Sequence, residues 1–217
     1  MIRYSARKLS EILRRMPLEE GENKTPVSFL SVYRFSANYI MLPEKCSPYL
    51  FFIADGTLRL HTPSGILDYI AGQYSVSSID TPFSGEILTK SEQNDFMALV
   101  VGFTAEEVIT LVLSLDGDLA EKILKEEVSA KAMTQADRSI ADCLIRLLTI
   151  NGERDMLSFM EKHIKREILF YTLYGSCGKR FLQSIINITK ALNHFFYAFS
   201  HFTLTSIVTL QFYYLFL

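Results

Sequence analysis

Residues 49–79 read YLFFIADGTLRLHTPSGILDYIAGQYSVSSI, and the spacing of their apolar runs decides the fold class. YLFFI, TLRLHT, ILDYI and YSVSSI are short and rich in β-branched or aromatic residues; Asp55-Gly56, Pro63-Ser64-Gly65 and Ala71-Gly72 separate them. Runs of this length fall short of an ordinary helix, and Gly or Pro at each gap marks a turn. The pattern predicts antiparallel strands joined by tight turns. It extends outward on both sides: VSFLSVYRF and YIML lie upstream, GEILT and FMALVVGF downstream, with a further turn signal at Thr81-Pro82. A sandwich or small barrel over residues 27–103 is expected.

Both flanks read as helix. Residues 5–16 place Leu9, Ile12, Leu13 and Met16 on one face and Arg7, Lys8, Arg14 and Arg15 on the other. The basic face is read as solvated. Glu19 to Pro26 is polar, is broken by Gly21, Asn23 and Pro26, and reads as a loop; residues 1–26 are thus an N-terminal helix and loop. After Phe103 the period changes. Thr104-x-x-Glu107 is a capping box ahead of VITLVLSL and starts a helix at Ala105. Ile140, Leu144, Leu147 and Leu148 follow Asp137 and Arg138 at helical spacing, and Asn151-Gly152 ends that helix. Leu157, Met160, Ile164, Ile168 and Tyr171 form the next stripe, which Gly175 terminates. Such a stripe packs on its own domain by default, and dimerisation is the second reading. Residues 104–193 are read as a helical dimerisation and linker region.

The composition is that of a globular chain: 217 residues, 49% hydrophobic, 21% charged. A net charge of -2 gives no bulk attraction toward a phosphate backbone. The charge stops abruptly: every Lys, Arg, Asp and Glu lies within residues 1–190. Residues 194–217 are then an aberrant hydrophobic tail, with FFYAFSHFTLTSIVTLQFYYLFL over 195–217. One reading of it is a bilayer-crossing helix with interfacial tyrosines. The N-terminus lacks the continuous apolar run of a secretory signal, and a cytoplasmic protein is expected. Cys46, Cys143 and Cys177 form no CxxC pair and read as free thiols. Cys46, beside Lys45 in a loop, is read as an ordinary thiol before a redox sensor.

Little in the sequence points to catalysis. His61 stands alone in the strand region, whereas a metal-binding barrel converges two or three His and a carboxylate on one ion; no metal or other cofactor is expected. Gly175-Ser176-Cys177-Gly178 has the look of a nucleophile elbow, but a helix precedes it where that motif needs a strand. No catalytic residue is assigned. Tyr33, Phe35, Phe52, His61, Tyr74 and Phe103 are strand positions expected either to line a ligand cavity or simply to fill the interior.

The order of these features, ending in DRSIADCLIRLLTI and HIKREILFYTLYGSCGKRFLQ, resembles the N-terminal region of AraC/XylS-type transcriptional regulators. Ile164, Arg166, Glu167 and Ile168, followed by Tyr171, Leu173, Gly175, Gly178 and Leu182, keep the order and spacing of that family's helix and Gly-x-x-Gly turn. Gly56, Gly72 and the Pro82 to Gly85 turn match more loosely, and the resemblance spans residues 5–193. It implies an α+β fold: an N-terminal cupin-like antiparallel β barrel or sandwich followed by a helical segment. It implies a signal-sensing, non-enzymatic regulator with a small-molecule effector and a homodimer, or a mixed dimer with an intact relative. DNA binding in the family belongs to a separate C-terminal domain of two helix-turn-helix units. Here Ile188, Ala191 and Leu192 follow the family pattern and His194 departs from it, so a regulator truncated by a shifted frame, with no DNA-binding residues of its own, is expected. A cupin-type metal enzyme and a membrane-tethered small-molecule sensor are the alternatives.

Overall fold

The computed structural model describes residues 2–36, 39–42, 47–62, 65–77, 83–88, 95–125, 134–150, 154–183 and 185–186. Cys46, Asn151-Gly152 and the tail from residue 187 lie outside them. The chain runs α1 (Ile2–Leu13), β1 (Gly21–Lys24), β2 (Leu30–Phe35), β3 (Tyr39–Leu42), β4 (Tyr49–Asp55), β5 (Thr57–Thr62), β6 (Gly65–Ile70) and β7 (Gln73–Ser77). It continues with β8 (Phe83–Ile87), β9 (Phe96–Gly102), α2 (Ala105–Leu113), α3 (Gly117–Lys125), β10 (Thr134–Gln135), α4 (Arg138–Thr149) and α5 (Arg154–Tyr174).

These elements give an α+β fold with two antiparallel sheets followed by helices. The larger sheet has the order β1-β2-β9-β4-β7-β10 and the smaller one β3-β8-β5-β6. The expectation of a cupin-like barrel is corrected here, because neither sheet closes on itself. A barrel requires the outermost strands to share a hydrogen-bonded ladder. β1 and β10 flank the larger sheet and β3 and β6 the smaller one.

The glycine turns show why the chain builds two sheets. Asp55-Gly56 and Ala71-Gly72 were expected to close hairpins, yet β4 does not pair with β5, nor β6 with β7. Both turns carry the chain from one sheet to the other. Gly56 and Gly72 sit at φ 86° and 88°, in the left-handed region that glycine enters without a Cβ clash. The β4–β9 register also shifts between Ile53 and Asp55, an irregularity that bends β4 out of its ladder just before the crossing.

The larger sheet is buried on both faces. On β4, Leu50, Phe52 and Ala54 face the helices, while Tyr49, Phe51 and Ile53 face the smaller sheet. On β9, Met97, Leu99 and Val101 alternate in the same way with Phe96, Ala98 and Val100. Two cores on two faces explain why these strands read as unbroken apolar runs and not as alternation. On the helical side, α1 packs on α4 and β4, and α4 packs on α5. Arg14 leaves the solvated face predicted for α1, placing Nη2 2.5 Å from Asp55 Oδ2. Inside the segment read as a loop, β1 pairs with β2.

Candidate functional site

Strand parity sorts the six residues expected at a ligand cavity. Tyr33 and Phe35, two apart on β2, lie together between the sheets, their rings stacked with centroids 6.0 Å apart. Phe52, Tyr74 and Phe103 belong to the opposite core, between the larger sheet and the helices. His61 is exposed on β5. Among the described residues, no group of three or more His, Cys, Asp and Glu side chains stands close enough to hold a metal ion.

The layer between the sheets is lined by aromatic rings. Phe51 and Phe96 stack at 6.5 Å, and Tyr33, Tyr49 and Tyr69 bring phenols into the layer. Burial, reinforced by the Glu22 carboxylate, pushes the Tyr33 phenol above its ordinary pKa and keeps it neutral. Tyr69 is 5% exposed, and its hydroxyl has no hydrogen-bond partner among the described residues. A buried polar group left unpaired costs about 1–3 kcal/mol, so this hydroxyl is a place where an acceptor would be welcome. The sequence reading passed over Tyr69. No periodicity pointed to it: Ile66, Leu67 and Ile70 are as apolar as Tyr69 and are exposed, so β6 carries no alternation that would show which side faces inward.

The motif at the end of α5 is explained by packing. Ile168 is fully buried and Leu182 is 3% exposed. Arg166 Nη2 donates to Ser114 Oγ at 2.7 Å, tying α5 to the end of α2. Glu167 pairs with Arg146 of α4. The turn after α5 docks on the larger sheet: Thr134 Oγ1 of β10 lies 2.9 Å from Ser176 Oγ, and Gly175 lies against the Tyr74 hydroxyl. Cys177 is fully buried in this packing. Burial, more than its neighbour Glu167, pushes the Cys143 thiol up to about 12, which leaves it unreactive.

A recess of about 310 Å³ opens between α2 and α5. Its lining includes Phe103, Glu107, Leu111, Lys162, Lys165 and Arg166. Lys165 Nζ lies 2.6 Å from Glu107 Oε1 and 4.8 Å from the centre of the Phe29 ring. No helix among the described residues is long and apolar enough to cross a membrane.

No curated protein matches the sequence. Among solved structures, apo ToxT K231A from Vibrio cholerae strain SCE256 is similar at 14% identity and TM-score 0.47, over 76% of this chain and 59% of that one. Wild-type ToxT from the same strain, with unsaturated fatty acid bound, is 17% identical at TM-score 0.48, over 70% of this chain and 55% of that one. The AraC-like transcriptional activator CuxR is 13% identical at TM-score 0.34, over 68% of this chain and 48% of that one. The chain thus spans less than two thirds of the length of each of these. The sequence also matches the family described as AraC-type transcriptional regulator N-terminus over residues 26–180, which is more than two thirds of its length. With the α5 motif and the Gly-x-x-Gly turn inside that range, the chain belongs to the AraC-type transcriptional regulators, by their N-terminal part.

Proposed function

We propose that this chain is the signal-receiving and dimer-forming part of an AraC-type regulator, and that its effector enters the layer between the two sheets. The observation that carries this reading is the Tyr69 hydroxyl, buried and unpartnered among the described residues in the core cluster that also holds Tyr33 and Phe35. An effector with an apolar body and one oxygen acceptor satisfies that layer, and its binding shifts the population between two arrangements of the domain. Dimers form through α5, which exposes Met156 (59%) and Phe159 (66%) about one turn apart. Mixed dimers with another regulator of the family follow from the same surface. DNA binding belongs to the family's helix-turn-helix part, and no DNA contact is assigned to residues 2–186.

A thermal-shift screen of neutral and anionic small molecules on the full chain tests this. Effectors raise the unfolding midpoint because they bind the native state alone. Their affinity falls about tenfold in Tyr69→Phe, which removes only the oxygen. The proposal ends if no stabilising compound in the screen is weakened by Tyr69→Phe or Phe35→Ala.

A further inference from the structure

We infer that the recess between α2 and α5 is a second binding site, for a small monoanion with an apolar body such as an aryl or alkyl carboxylate. At about 310 Å³ it stands at the lower end of the size range of small-molecule sites. Its floor is apolar, since Phe103, Leu111 and Leu169 line it and each is at least 96% buried.

Charge selects the ligand. Lys162, Lys165 and Arg166 face Glu106 and Glu107 around the recess, an excess of one positive charge. Glu107 is fully committed: Oε1 meets Lys165, and Oε2 accepts the Thr104 backbone N–H at 2.8 Å. Lys165, whose side chain is 15% exposed, is therefore already neutralised. The excess of one charge is left on Lys162 and Arg166, both exposed, with Glu106 as the one other charge in the lining outside the Glu107–Lys165 pair. These two are four residues apart on α5, so their heads lie on one face. Neither has a carboxylate partner among the described residues. The bond from Arg166 to Ser114 holds the guanidinium at the rim with its remaining N–H groups available. A carboxylate joined to a hydrophobic group meets both demands: the head pairs with Lys162 and Arg166, and the body covers the floor. A neutral apolar molecule leaves the cations unmatched, and a dianion exceeds the local excess.

This site is independent of the layer between the sheets, and the experiment separates the two. Isothermal titration of the full chain with 4-phenylbutyrate, 4-phenylbutanol and 4-phenylbutylamine compares one body with negative, neutral and positive heads. The acid is expected to bind saturably, more weakly as salt rises, and at least about tenfold tighter than the alcohol or amine. Lys162→Ala and Arg166→Ala each weaken it by about fivefold and the double variant by more, while Tyr69→Phe leaves it unchanged. Both side chains are exposed, so the variants stay folded: Lys162→Ala keeps the parent unfolding midpoint and Arg166→Ala lowers it only by the loss of its bond to Ser114. The inference is overturned if the acid does not saturate, if the alcohol binds equally well, or if the double variant retains full affinity. Loss in Tyr69→Phe alone would move the ligand to the layer between the sheets and overturn it as well.

Discussion

A methyl group at Gly178 would stand 1.8 Å from the Leu173 carbonyl oxygen, and one at Gly175 would stand 2.5 Å from the Tyr74 hydroxyl. Neither glycine has the positive φ seen at Gly21, Gly56 and Gly72, so these positions need space and not a left-handed backbone. Because the Leu173 carbonyl is backbone, Gly178→Ala is expected to cost about 3 kcal/mol or more in urea denaturation. At Gly175 the nearest obstacle is a side chain, and the expectation differs. Gly175→Ala destabilises the parent more than it destabilises Tyr74→Phe, and a double-mutant cycle reads the difference as a coupling energy. Cys143 gives a pH prediction. Burial raises its pKa in the folded chain from an ordinary value near 9 to about 12. Its contribution is complete below pH 9, and stability is lost as pH rises from there through about 12. Urea midpoints of the parent should therefore fall over that range more steeply than those of Cys143→Ala.

Elements came through from the sequence where their pattern was local. The capping box at Thr104 and Glu107 starts α2 as expected: Glu107 N–H donates to Thr104 Oγ1 at 3.0 Å, and the reciprocal bond is present. Thr104→Ala should cost about 1 kcal/mol. Glu107→Ala should cost about 2 kcal/mol, since it also leaves the largely buried Lys165 without its partner. By contrast Arg146 and Glu167, whose side chains are 47% and 38% exposed, contribute under about 1 kcal/mol after solvent screening. Chemical denaturation of the three variants Thr104→Ala, Glu107→Ala and Arg146→Met checks the order. Three elements are missing from the sequence reading: α3, although it carries Leu119 and the buried Ile123, and β1 and β10, which lack apolar content. β1 reads Gly-Glu-Asn-Lys and alternates between half-buried and exposed, while β10 is the two residues Thr134 and Gln135. Each is recruited by the strand beside it, and neither has an apolar face that periodicity would reveal.

At the scale of the whole molecule, the proposal of dimers through α5 predicts that the full chain sediments as a dimer. Met156→Glu together with Phe159→Glu, by placing like charges on the exposed stripe, should shift it to monomer at the same concentration. The helical motif, the strand run from Val27 to Phe103, and the change of period at Thr104 were determined by sequence alone. Hydrophobic spacing and capping chemistry act between residues a few positions apart, so they are written locally. Three things were decided only by tertiary structure. One is the pairing of strands into two open sheets: a glycine turn that closes a hairpin and one that crosses to another sheet carry the same residues. Another is the division of the aromatic residues between two cores. A sheet buried on both faces has apolar side chains at odd and even positions alike, so Phe51 and Phe52 look equivalent until each core is in place. The last is the Tyr69 hydroxyl, unpartnered among the described residues, because whether a buried phenol finds an acceptor depends on groups that approach it from distant parts of the chain.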